Sequence, residues 1–179
     1  MNEEETRESL RRFIRDWQIL IGADPAKLSL VERLDQPDGS KLANYEQRPF
    51  RYPIRGSYGK LQIGFTPDRR VLNISSTCIP DADRMQASLA GVAVKLKPED
   101  AIKQLHDHDI TYRNASGNKT SFRVTSTNEG RPTELVIYIL PSKKHPDALD
   151  FHVAWEIQLN NAPIKTAYVD AANGEILGD

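Results

Sequence analysis

Ala154-Trp155-Glu156-Ile157, a short connection, and then Tyr168-Val169-Asp170-Ala171-Ala172-Asn173-Gly174-Glu175-Ile176-Leu177 are the stretches that decide the fold. Val153, Trp155, Ile157 and Leu159 alternate with their neighbours, so one face of a strand carries all four. Such a face has to be covered, and Trp155 is its expected anchor: truncation of a fully packed tryptophan costs roughly 3–5 kcal/mol. Asn173-Gly174 signals a tight two-residue turn, which predicts a hairpin between a strand at Ile164 to Val169 and an end strand at Glu175 to Leu177. Asp170, just ahead of the turn, suits an Asx-type contact with backbone amides. Holding the fold together explains these residues without a partner.

Strands are predicted upstream at Ser121 to Ser126, Glu134 to Leu140 and Asp150 to Leu159, with an exposed loop over Pro141 to Leu149. Lys97-Pro98-Glu99-Asp100 opens a helix, since proline suits the first turn and carboxylates suit the positive end of the dipole. Ala101, Ile102 and Leu105 form its apolar face. The same order occurs nearer the start. Leu10, Phe13, Ile14, Trp17, Leu20 and Ile21 recur at helical spacing, behind Glu3, Glu4 and Glu5, and Gly22 stops the helix. Its acidic start balances its arginines, so packing on a sheet is expected rather than a membrane or a partner helix. Short strands come next at Leu28 to Leu30 (where Val31 and Glu32 break the alternation), Leu42 to Gln47, Lys60 to Phe65 and Val71 to Ile79. Asp38-Gly39 and Pro67-Asp68 are the turn signals between them.

The expected class is therefore α+β: two helix-plus-antiparallel-sheet units in tandem, residues 1–80 and 98–179, joined by a connector at 81–97 with one helical turn near Arg84 to Leu89. The pattern repeats after roughly 90 residues, too long for a solenoid.

Composition fits a globular protein. The 179 residues are 39% hydrophobic and 27% charged, and 24 basic against 25 acidic side chains leave a net charge of −1. No global field attracts nucleic acid or anionic lipid. Cys78 is the only cysteine, so no internal disulfide or cysteine-based zinc cluster forms, and a buried inert thiol is expected. No apolar run approaches membrane length. Met1-Asn2-Glu3-Glu4-Glu5 is not a signal peptide, so the sequence predicts a cytoplasmic protein or one whose export signal is not in this sequence.

Gln47-Arg48-Pro49-Phe50-Arg51-Tyr52-Pro53-Ile54 resembles the glutamine-to-proline signature of FTP domains, named for fungalysin and thermolysin propeptides. The Trp155 strand and the Tyr168 to Leu177 stretch resemble a PepSY domain, which accompanies FTP in those propeptides. Together the resemblance runs from about Leu10 to Leu177. It implies an FTP-like unit over 1–80, a PepSY-like unit over 98–179 and a cystatin-like fold for each. It also implies an extracellular or periplasmic setting, and a role in folding or inhibiting a thermolysin-like metalloprotease catalytic domain, which would begin about where this sequence stops. The motif residues Gln47, Pro53, Trp155, Tyr168, Asp170 and Gly174 are expected to be mainly structural. A cystatin-like module with no protease partner is the alternative.

No catalytic residue, metal ligand or cofactor is expected, and the chain is read as a non-enzyme. His-Glu-x-x-His, Gly-x-Ser-x-Gly, phosphate-binding glycine loops and paired CxxC are absent from the sequence. His106-Asp107-His108-Asp109 is the one suggestive cluster, and it falls where a helix end explains its histidines. His145 and His152 bracket a loop with Asp147 and Asp150, a weaker metal pattern. Arg48, Arg51 and Arg55 interleave with Phe50, Tyr52 and Tyr58, a pattern seen on single-stranded nucleic acid surfaces, though a solvated sheet face explains it equally. No nucleic acid or membrane partner is expected. Asn73, Asn114 and Asn118 begin N-x-Ser/Thr sequons, relevant only on a eukaryotic secretory route.

Overall fold

The computed structural model describes residues 3–48, 50–125, 128, 130–145 and 147–178. Its contacts divide the chain into two compact units, Met1–Ala87 and Ser88–Asp179. Both combine helix with antiparallel sheet, so the α+β class holds. Among the described residues no helix is long and apolar enough to cross a membrane.

In the first unit α1 (Glu3–Asp16) and α2 (Gln18–Ile21) precede a 3-10 turn at Pro25–Lys27. The strands are β1 (Leu28–Asp35), β2 (Lys41–Gln47), β3 (Ile54–Arg55), β4 (Lys60–Phe65) and β5 (Val71–Ser76). The main sheet has the order β1-β2-β4-β5. Alternation fixes which face is covered: Ala43, Tyr45, Leu61, Ile63 and Phe65 are buried together with Leu10 and Ile14 of α1. The break in alternation at Val31 and Glu32 is a register shift between Leu30 and Glu32, an extra residue that bends the strand.

The apolar stripe of the first helix is interrupted where its spacing predicts continuity. Trp17 leaves helical geometry at φ −112° and ψ 19°, which divides one helix into two. Leu10, Ile14 and, beyond the break, Ile21 are buried, whereas Trp17 is 52% and Leu20 71% exposed. Gly22 ends α2 at φ 82°, its N–H donating to Gln18 O at 2.8 Å. A left-handed glycine there follows the usual helix exit.

Next, α3 (Ala82–Ala90) is a longer helix than the single turn expected near Arg84. The second unit continues with α4 (Pro98–Leu105), β6 (Asp109–Arg113), β7 (Lys119–Arg123), β8 (Gly130–Pro141), β9 (Leu149–Leu159), β10 (Thr166–Asp170) and β11 (Ile176–Gly178). Its main strands lie in the order β11-β10-β9-β8, and β6 pairs with β7 as a separate hairpin. Ala101 and Leu105 of α4 bury against Ile157, Leu159, Ala167 and Val169, with Trp155 packed alongside. On the other sheet face Val136, Tyr138, Ala154 and Tyr168 form a second buried cluster. Central strands are therefore buried on both faces, and Ala167 to Asp170 is apolar until its last residue.

Candidate functional site

The residues singled out by the sequence do not converge on one place. Gln47 lies in the first unit, 4% exposed, at the end of β2. Its Nε2 donates to Ile79 O at 2.9 Å and its Oε1 accepts from Ile79 N at 2.8 Å. This reciprocal pair ties the chain leaving β5 to the end of β2. Both polar ends of a buried amide are satisfied there. Pro53 is exposed, one residue before β3, and Pro49 lies outside the described residues. β2 stops at Gln47 and Arg55 lies in the separate two-residue β3, so Arg48, Arg51 and Arg55 do not share one alternating strand. Arg51 instead stacks over Tyr52, 5.2 Å from the ring centroid, and Arg48 pairs with Glu46 at 3.3 Å.

The other four residues belong to the second unit. Trp155 is half-buried, and its Nε1 donates to Leu96 O at 2.9 Å, which fastens the segment ahead of α4 to β9. Tyr168 stacks on Tyr138 with ring centroids 4.2 Å apart, beside Ala154 in the same cluster. Its hydroxyl donates to Glu156 Oε2 at 3.3 Å.

Asp170 organises the end of the chain. Only 5% exposed, its Oδ1 accepts from Ala172 N at 2.7 Å and Asn173 N at 3.1 Å. Gly174 N donates to Asp170 O at 2.9 Å and Asp170 N to Glu175 O at 2.8 Å. The connection is thus a helix-like turn and not the two-residue turn that Asn173-Gly174 predicts. Gly174 alone takes positive φ, at 80°, while a two-residue turn of that type needs it twice. The aspartate causes the difference by gathering two successive amides and winding the chain once before Asn173 Oδ1 accepts from Glu175 N at 2.8 Å.

Sequence reasoning placed His152 only in a weak metal pattern and missed its contact with the other carboxylate oxygen. His152 Nδ1 lies 2.7 Å from Asp170 Oδ2. No sequence signal announces this pair, because antiparallel register, Asp170 opposite Ala154, is what brings them together. An imidazole oriented by a carboxylate is two-thirds of a nucleophilic triad. Here the third member is missing: among the described residues His152 has no second hydrogen-bond partner. Both oxygens of Asp170 are already engaged, so the cluster fastens a turn.

His106 caps α4 and His108 Nδ1 lies 3.1 Å from His106 O, so the pair sits at a helix exit. No group of three or more His, Cys, Asp or Glu side chains able to hold a metal converges among the described residues. Cys78 is half-buried and not fully enclosed as expected, and desolvation raises its thiol pKa, which disfavours the reactive thiolate.

Neither a family model nor a curated protein matches the chain. A solved structure does. The Bacillus megaterium YpeB C-terminal domain is similar at a TM-score of 0.36 and 10% sequence identity, with 98% of this chain and 63% of that one covered. This chain therefore spans less than two thirds of the length of the domain it resembles.

Proposed function

We propose that this chain is a non-catalytic binding module of the pro-region kind, which engages a thermolysin-like metalloprotease catalytic domain, assists its folding and restrains its activity. The supporting observation is the tandem of helix-and-sheet units, with Trp155 and Asp170 fastening the second through the residues that carry the FTP–PepSY resemblance. A partner that binds only the folded protease stabilises it by mass action, which suits a folding aid. An extracellular or periplasmic setting belongs to the same proposal. The second reading is a cystatin-like structural or ligand-binding module without a protease partner. It is favoured by Gln47 and Asp170, whose polar groups all face their own backbone or His152 and leave nothing to offer a partner.

Titration into a thermolysin-like catalytic domain separates the two. The pro-region reading expects a saturable one-to-one complex with a dissociation constant of about 1 μM or tighter. It also expects slowed peptide hydrolysis or a higher yield of refolded protease. No heat, no inhibition and no gain in refolding would remove it in favour of the second reading.

A further inference from the structure

The main sheet of the first unit is open along β1, which pairs with β2 alone in the order β1-β2-β4-β5. Arg48 N donates to Lys27 O at 2.8 Å, and Leu28 stands opposite Gln47, Ser29 opposite Glu46 and Leu30 opposite Tyr45. In an antiparallel pair that register turns the backbone groups of Ser29 toward β2 and those of Leu28 and Leu30 outward; Leu28 N already donates to Pro25 O, so Leu28 O and both groups of Leu30 form the open edge. Edges of this kind pair with other strands unless blunted. The bulge at Val31 blunts β1 only beyond Leu30.

A cleft of about 490 Å³ opens beside this stretch, between α1 and β1, lined by Arg7, Arg11, Ile14, Leu28, Leu30 and Tyr45. Ile14 and Tyr45 are its buried floor, and Leu28 and Leu30 are half-buried along its wall. Arg7 and Arg11 stand one helical turn apart on the rim, both exposed. Glu3 is held by Arg33 at 2.8 Å and reaches Arg7 only at 3.9 Å, while Arg11 has no ion pair among the described residues. Arg11, and Arg7 with its carboxylate at the 3.9 Å limit of an ion pair, thus overhang an apolar floor beside an open strand edge. Burial pushes the Tyr45 phenol up to about 12 against the pull of Arg33 and Arg7, so it remains a donor at neutral pH.

We propose that this cleft docks an extended acidic peptide, which adds a strand to the Leu28–Leu30 edge, lays an apolar side chain over Ile14 and Tyr45, and pairs a Glu or Asp carboxylate with Arg7 and Arg11. Main-chain pairing supplies the affinity and the alternating side chains supply the selection, the mode by which strand addition works generally. The site belongs to the first unit alone and does not depend on a protease being the partner.

A fluorescein-labelled peptide of alternating valine and glutamate is the probe, titrated against the full chain with anisotropy read. Saturable one-to-one binding is expected, with amide shifts concentrated at Leu28–Leu30 and along α1. Reversing both charges (Arg7→Glu with Arg11→Glu) should weaken it by about tenfold or more, one such factor being the effect of ~1.4 kcal/mol. The valine–lysine counterpart should not bind. A valine–glutamate peptide N-methylated on alternate residues should also fail, and that arm leaves the protein unaltered should the charge-reversed variant not fold. The proposal is overturned if the first peptide shows no saturable binding, or if the methylated or lysine peptide binds as well. Equal affinity for a folded charge-reversed variant, or shifts elsewhere in the chain, would also overturn it.

Discussion

The terminal turn of the second unit and the helix exit of the first are both short, glycine-ended segments, yet they are built in opposite ways. Between Asp170 and Glu175 side chains and backbone satisfy one another: Asp170 takes two amides, Asn173 takes a third, and His152 occupies the remaining oxygen. Between Trp17 and Gly22 the backbone is satisfied but most apolar side chains are not: Trp17, Ile19 and Leu20 are 52%, 95% and 71% exposed, while Ile21 alone of this segment, at 2%, joins the core. A polar turn closes locally, using groups within a few residues and one histidine on the next strand. An apolar face closes only where a neighbour meets it. After the break at Trp17 only Ile21 of α2 meets the core, and Ile19 and Leu20 face away from it.

The largest effect that tests this comparison is Asp170→Ala. Losing a buried carboxylate orphans the amides of Ala172 and Asn173 and leaves His152 without its partner, so a loss of about 3 kcal/mol is expected in urea unfolding. Asp170→Asn keeps one amide-accepting oxygen and should recover much of that. A loss below about 1 kcal/mol for the alanine variant would mean that the turn holds without its side chain, since a single net hydrogen bond is worth that much.

A smaller effect reports on the floor beneath α1. The Tyr45 phenol, raised by burial from 10.0 to about 12, binds its proton more tightly in the folded state than in the unfolded one. Its contribution is therefore complete below pH 10 and is lost as pH rises toward 12. The stability difference between the native chain and Tyr45→Phe should change by about 2 kcal/mol over that interval, at roughly 1.4 kcal/mol per pKa unit. Other tyrosines titrate equally in both proteins and cancel. A flat difference would mean that water already reaches the phenol.

How far each region was legible depends on where its determining contacts lie. β4 was readable to its ends because Leu61, Ile63 and Phe65 alternate and bury on one face. β6 and β7 were not both read, although Asn114 and Gly117 carried the signal. Asn114 Oδ1 accepts from Ser116 N and Asn118 N, and Gly117 takes φ 78°, so a turn between Tyr112 and Phe122 was encoded locally. At the candidate site, the role of Asp170 toward the next amides was legible because it is local in sequence. His152 was illegible because its contact depends on the register of β9 against β10. The reciprocal bonding of Gln47 with Ile79 was hidden for the same reason, with the partners brought together across the sheet.

The smallest effect is the sharpest test of the helix exit. Leu10 and Leu20 belong to one stripe by spacing, and spacing alone assigns them equal roles. The structure leaves Leu10 4% exposed, against Ala43, Ile63 and Phe65 in the same cluster, and Leu20 71% exposed beyond the break at Trp17. Leu10→Ala should then cost about 3 kcal/mol, a buried leucine with a cavity left behind. Leu20→Ala should stay within about 0.5 kcal/mol, as surface substitutions do, with alanine's helix propensity offsetting part of any loss. Equilibrium urea unfolding of the two variants supplies both values. A loss above about 1.5 kcal/mol for Leu20→Ala would exceed what an exposed leucine can contribute. The outer face of α2 would then be packed, as its inner face already is at Ile21.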